Sequence, residues 1–211
     1  LADNPIHRDM AFAAKAAGLR FILNVVLGPG HRVLAAFAGE LEAAHAAGCA
    51  YSLARTRVAP VVADIAVTSN GGWPLDQNLY QAVKGMTAAE ACVRQGGAIV
   101  MCAALTDGHG GEAFYRWFAE RQSPAQVLRD IENIPPEATS MDQWEAQILA
   151  RVLCKATCFL VTDAENRALV EAMHMRWSPD AGSAVREATA LLGAESKVTV
   201  IPDGVGVIVK A

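Results

Sequence analysis

No apolar run in the 211-residue sequence approaches the roughly 20 residues a helix needs to cross a bilayer, although 53% of it is hydrophobic, much of that alanine. A membrane span is excluded on this reading. The start, Leu1-Ala2-Asp3-Asn4-Pro5, has no initiator Met, basic n-region or apolar h-region, so a signal peptide is not expected and the chain reads as a segment of something longer. Lys and Arg nowhere cluster, and the formal charge is −4 with pI near 5.7. Without an electrostatic footprint, no nucleic-acid partner is expected. There is no CxxC, no HExxH and no i, i+4 histidine pair, so no metal site is expected within the chain. The five cysteines, Cys49, Cys92, Cys102, Cys154 and Cys158, read as buried free thiols of a cytoplasmic protein. GxGxxG, the P-loop and G-x-S-x-G are also missing, which removes motif support for nucleotide binding or a covalent nucleophile.

What is present is alternation of strand and helix patterns. Asn4 to Gly18 reads as a helix with Pro5 in its first turn. Phe21 to Leu27 and Val33 to Ala38, joined by Gly28-Pro29-Gly30-His31, read as a β-hairpin. A helix from about Glu40 toward Arg55 leads to Ala59-Pro60. From Val61 onward the pattern is regular: strands at Val61–Val67, Ala98–Ala103, Thr157–Val161 and Lys197–Ile201, with helices between them. Thr87-Ala88-Ala89-Glu90 and Ser140-Met141-Asp142-Gln143 have capping-box spacing. Asp163 is expected to cap a helix to about His174, and Pro202-Asp203-Gly204 to turn the chain into a terminal hairpin. Strands joined by crossover helices must lie parallel, so residues 58–211 are expected to form a small doubly wound α/β domain, Rossmann-like in class. Residues 1–57 have their own helix, hairpin and helix, and read as the incomplete end of a neighbouring domain with its hinge.

Chemistry concentrates between Thr68 and Gly85. An apolar strand ends, and Asn70, Gly71, Gly72, Pro74, Asp76, Gln77 and Asn78 form a polar connection to a helix expected to start near Asp76 or Gln77. On that helix Gln77, Tyr80, Gln81 and Lys84 share a face. An ammonium, an amide and a phenol at a strand's carboxyl end suit an anionic oxygen ligand. The same face reads equally well as a solvated amphipathic surface. His109, in Asp107-Gly108-His109-Gly110-Gly111, is either a lid or acid–base residue or a plain turn histidine. Trp144 is either a core anchor or a pocket wall.

The run Ser69-Asn70-Gly71-Gly72-Trp73-Pro74-Leu75-Asp76-Gln77-Asn78-Leu79-Tyr80-Gln81-Ala82-Val83-Lys84-Gly85-Met86 closely resembles the C-terminal portion of the nickel-dependent lactate racemase family. The likeness continues through Thr87–Ala91 and Asp107–Gly111, and backward to Phe21–Val26 and Ala35–Gly39. It implies a two-domain enzyme with its active site in the cleft, racemising or epimerising a 2-hydroxy acid by hydride transfer at the carbinol carbon. It also implies a nickel-pincer nucleotide and proton-handling histidines carried by the N-terminal domain of the same polypeptide, with no cofactor bound by this chain. Carried onto this sequence, the resemblance gives Lys84 and Gln81 catalytic and substrate-holding roles and makes Tyr80 and Trp144 substrate-binding. Asn70, Gly71, Gly72 and His109 are candidate loop or lid residues. The fragment is then expected to be inactive alone. Two other readings stand beside this one: a free-standing small-anion binding module, and an α/β domain used only for assembly.

Overall fold

The computed structural model describes residues 3–28, 30 and 32–210. It divides into two compact units at Arg57/Val58. In the first, α1 (Pro5–Ala16) starts where the Asn4 side chain accepts from the Ile6 amide, with Pro5 in the first turn. Strands β1 (Ile22–Leu27) and β2 (Val33–Gly39) pair antiparallel as the expected hairpin. Pro29 and His31 of its turn lie outside the described residues. In α2 (Leu41–Thr56), Glu40 is the cap, its carboxylate accepting from the Glu42 and Ala43 amides. Ala44 is the one buried apolar residue of this unit among those described, while Phe12, Phe21, Leu23 and Val25 are exposed. Two strands and two helices of this length bury little.

The second unit is built on a five-stranded, wholly parallel sheet. Its strands are β4 (Ala63–Ser69), β5 (Val93–Cys102), β6 (Thr157–Val161), β7 (Arg176–Ser178) and β8 (Val198–Ile201), in the spatial order β7-β6-β5-β4-β8. The helices α3 (Leu79–Cys92), α4 (Glu112–Ala119), α5 (Pro124–Glu132), α6 (Gln143–Lys155) and α7 (Arg167–Ala172) contribute to the larger core, with Leu79, Met86, Ile99, Met101, Phe114 and Leu149 fully buried. The opposite face, Ile65, Val100 and Phe159, is covered by Ala184 and Ala188 of α8 (Ala181–Leu192). Helices on both faces of a parallel sheet make it the doubly wound α/β fold read from the alternation. The chain steps outward from β4 to β7, then returns to place β8 beside β4. The strand-order switch therefore lies between β4 and β8, where such sheets bind ligands.

Several local expectations are corrected. Helix α3 begins at Leu79, not at Asp76 or Gln77, because Asn78 is the residue whose side chain accepts from the Gln81 amide. It continues through Thr87 to Cys92, so Thr87–Glu90 is no capping box; the Thr87 hydroxyl bonds back to the Lys84 carbonyl at 2.7 Å. Gly96-Gly97, which by sequence reads as the end of the helix from Thr87, lies inside β5 at an irregular register with β4, where a side chain on Gly97 would press on the Asp64 carbonyl. Ser140 does not cap α6: the Gln143 amide oxygen reaches back to the Ser140 N–H, but Asp142 stands at the N-cap with φ of 61°. Asp163 precedes a 3₁₀ turn, and α7 stops at Ala172, short of His174. The edge strand β7 was not expected from the pattern because three residues carry no readable period.

The terminal hairpin does not form. The Asp203 carboxylate accepts from the Val205 and Gly206 amides and turns the chain away from β8. The last strand, β9 (Ile208–Val209), ends with the Lys210 N–H on the carbonyl of Val58, in the short β3 (Arg57–Val58). Cys154 is exposed, contrary to the expectation of burial, while Cys92 and Cys158 are buried; all five thiols are free. No helix among the described residues is long and apolar enough to cross a membrane.

Candidate functional site

The carboxyl end of β4 is tied to the connection that follows β8. The Ser69 hydroxyl donates to the Pro202 carbonyl at 2.5 Å, the Gly204 N–H donates to the Ser69 carbonyl at 2.8 Å, and Asn70 bridges to Asp203. Asn70 is buried, and its amide donates to the Leu75 carbonyl (2.5 Å) and the Gln81 carbonyl (2.6 Å). It bolts the loop onto α3. Gly71 and Gly72 both take positive φ, 74° and 93°, a conformation that favours glycine. Trp73 projects from this loop and is 80% exposed.

The first turn of α3 has no free backbone donors. The Leu79 and Tyr80 amides donate to the carbonyls of Gly108 and His109, the Gln81 amide donates to Asn78 Oδ1, and the Ala82 amide to the Asn78 carbonyl. An anion at this end cannot be held by the helix terminus and must use side chains. The side chains are there. Lys84 is exposed, and its Nζ donates to Gln81 Oε1 at 2.7 Å. The Tyr80 ring sits edge-on to Phe114 (5.5 Å between centroids) and to Trp144 (5.9 Å), wedged between a core ring and an exposed one. The structure thus brings Tyr80, Gln81, Lys84 and Trp144 together. Trp144 is half exposed on the first turn of α6, whereas Val152, two turns along the same row, is buried.

His109 is placed differently. Its Nδ1 accepts from the Gly111 N–H at 3.0 Å, its Nε2 lies 3.5 Å from the Glu112 carboxylate, and its ring stacks on Tyr115 at 5.2 Å. Those contacts hold the ring at the start of α4. What the His109 segment gives α3 is backbone, through the carbonyls already described.

Two acids that sequence reasoning did not single out complete the group. Glu145 is 1% exposed and one of its oxygens has no hydrogen-bond partner. Burial pushes its carboxyl up to about 7, against the pull of the Lys84 ammonium and with added repulsion from Asp142. Burial and the charges of Asp142 and Glu145 likewise raise the Tyr80 phenol. Asp142 and Glu145 bracket Trp144 in the sequence, a clue that carries weight only once α6 is known to pack on α3. That packing is clamped farther along by Arg151, which pairs with both oxygens of Glu90 at 2.9 and 2.7 Å.

The raised Glu145 carboxyl predicts a pH-dependent stability. An acid with a higher pKa when folded binds more protons folded than unfolded, so its contribution is full below about 4.5 and is lost as pH rises through about 7. The loss across that window is on the order of 3 kcal/mol. Glu145→Gln is expected to flatten the decline in urea-unfolding free energy between pH 5 and pH 8; an unchanged slope would show that another group causes it.

Among the described residues, no group of three or more His, Cys, Asp or Glu side chains is placed to hold a metal ion. The donors on α3, an ammonium, an amide and a phenol, fit the oxygens of a small organic anion and not a soft metal. Residues 58–211 thus form a doubly wound α/β domain that carries this face at its strand-order switch. The chain belongs to the lactate racemase family: the profile of the lactate racemase C-terminal domain matches residues 58–209, and the chain is its C-terminal portion. It is 50% identical over 210 residues to a lactate racemase of Thermoanaerobacterium thermosaccharolyticum, covering all of this chain and 49% of that protein. The lactate racemase of Lactiplantibacillus plantarum is 48% identical over 210 residues, with all of this chain and 50% of that protein covered. The chain therefore spans about half the length of the curated relatives it matches. The solved structure of the Thermoanaerobacterium thermosaccharolyticum lactate racemase apoprotein superimposes with a TM-score of 0.96 at 50% identity, over all of this chain and 51% of that one. A Thermotoga maritima crystal structure at 16% identity and TM-score 0.63, covering 97% of this chain and 53% of that one, shares the fold alone.

Proposed function

We propose that the chain is the substrate-clamping part of a cytoplasmic racemase or epimerase acting on a lactate-like 2-hydroxy acid. The observation that carries this is the Lys84–Gln81–Tyr80 face at the strand-order switch, on a helix whose backbone donors are all occupied. The Lys84 ammonium, already oriented by Gln81 Oε1, binds the substrate carboxylate. The Gln81 amide N–H donors point the carbinol or carboxylate oxygen, and the Tyr80 and Trp144 rings form an apolar wall that excludes water from it. Residues 1–57 are read as the end of the preceding domain of the same polypeptide, because their apolar side chains lie mostly exposed. Residues 58–211 are read as the C-terminal domain. The hydride-accepting chemistry belongs to a nickel-pincer nucleotide on that preceding domain. The present side chains hold and orient the substrate without coordinating the metal, so the fragment alone is inactive.

The test is a chirality assay. Full-length, nickel-loaded protein is expected to convert either enantiomer of lactate, or of a closely related 2-hydroxy acid, toward the racemate, while residues 1–211 alone convert none. Absence of interconversion across a panel of 2-hydroxy acids would leave binding without racemisation and overturn the reading.

A further inference from the structure

Lys84 is the exposed cation of the site, and its charge acts on a buried carboxyl group of which one oxygen has no hydrogen-bond partner. Glu145 is on the first turn of α6, next to the Trp144 ring that meets Tyr80, and is 1% exposed with Oε1 unpartnered. A carboxylate confined like this is unusual, because buried acids are ordinarily paired. Of the other helices packed on α6, α4 contributes Phe114 and Trp117 to the apolar core and α5 contributes Val127 and Ile131. The titratable groups that act around it are Lys84 and Tyr80 from α3 and Asp142 from the loop before α6. We propose that Glu145 is a positioning residue that competes with the substrate for Lys84: ionised, it draws the ammonium inward, and protonated, it leaves the ammonium to the substrate carboxylate.

The consequence is a pH-gated clamp. This rests on the reading of Lys84 as the carboxylate holder, and it adds a control on that holder. The buried carboxyl titrates near neutrality, so lactate binding weakens as pH rises through about 7. Asp142 adds repulsion that keeps Glu145 protonated. Replacing Asp142 by Asn therefore moves the gate toward lower pH, a directional effect that mere packing would not give.

The experiment uses the full-length protein and reads two quantities from pH 5.5 to 9: KM for lactate in the nickel-loaded enzyme, and the lactate dissociation constant of the metal-free protein by calorimetry. For the wild type, both are expected to rise roughly tenfold across neutrality, the effect of about one pKa unit of coupling. Glu145→Gln keeps the shape and removes the charge, and both curves are expected to become flat. Asp142→Asn is expected to keep the rise but start it at lower pH. A Glu145→Gln profile that overlays the wild type, or an Asp142→Asn inflection that does not move, overturns the role of Glu145. Lys84→Ala separates the two levels. If that variant binds lactate normally, the clamp itself is wrong; if it binds weakly while Glu145→Gln behaves as wild type, only the gate is wrong.

Discussion

Lys84→Ala in the full-length protein is expected to lower kcat/KM for lactate by roughly 10²- to 10³-fold, the range seen when a charge-stabilising donor is removed from a preorganised site. Its thermal melting should barely change. Lys84 is exposed and makes one hydrogen bond, to Gln81 of its own helix, and such surface contacts contribute at most about 1 kcal/mol. Nor can the backbone compensate, since the first amides of α3 are bonded to Gly108, His109 and Asn78. Lys84→Arg is expected to recover only part of the rate, because a planar fork does not reproduce a point charge seated on Gln81. Racemisation at the wild-type rate by Lys84→Ala would remove this side chain from the mechanism.

Gly85→Ala is expected to be the most damaging single methyl group near the site. A β-carbon there would collide with the buried Asn70 side-chain oxygen and come within 3.0 Å of the Ser69 carbonyl. In a free helix the same change would stabilise by about 0.5–1 kcal/mol. Overpacking opposes that with about 1–3 kcal/mol, and here the displaced group is Asn70, which fastens the loop to Leu75 and Gln81. The net expectation is a lower unfolding midpoint in urea together with raised KM, since Gln81 moves with its carbonyl. An unchanged midpoint would mean that α3 can shift away from β4 without loss. Gly204 crowds the same place from the connection after β8, where a β-carbon would meet the Gly85 carbonyl at 2.6 Å.

Much of the site was legible in the chain because its parts are close in sequence. Tyr80, Gln81 and Lys84 share a face by helical period alone, and the polar loop before them follows a β-branched strand. The same local reading placed the start of α3 too early and split the helix at Thr87. Capping motifs report only that a hydroxyl or carboxamide could bond a nearby amide. Whether it does depends on competing partners, and Thr87 found the Lys84 carbonyl.

Asn70 shows the other limit. From its neighbours it reads as a loop or lid residue, and in the fold it is a buried bolt between β4, the loop and α3. His109 has the reverse story: its ring is occupied by Gly111, Glu112 and Tyr115, while its carbonyl caps α3. Neither placement has a signature in sequence spacing.

By itself the sequence determined the alternation of strand and helix, the parallel doubly wound class and the triad on α3, because hydrophobic period and side-chain spacing act over a few residues. Only the tertiary structure decided that β8 returns beside β4, that α6 sets Trp144 and Glu145 against that triad, and that the amino end of α3 is sealed. Those depend on burial and long-range pairing, whose free energy comes from groups far apart in the chain and is felt only when the whole sheet is assembled.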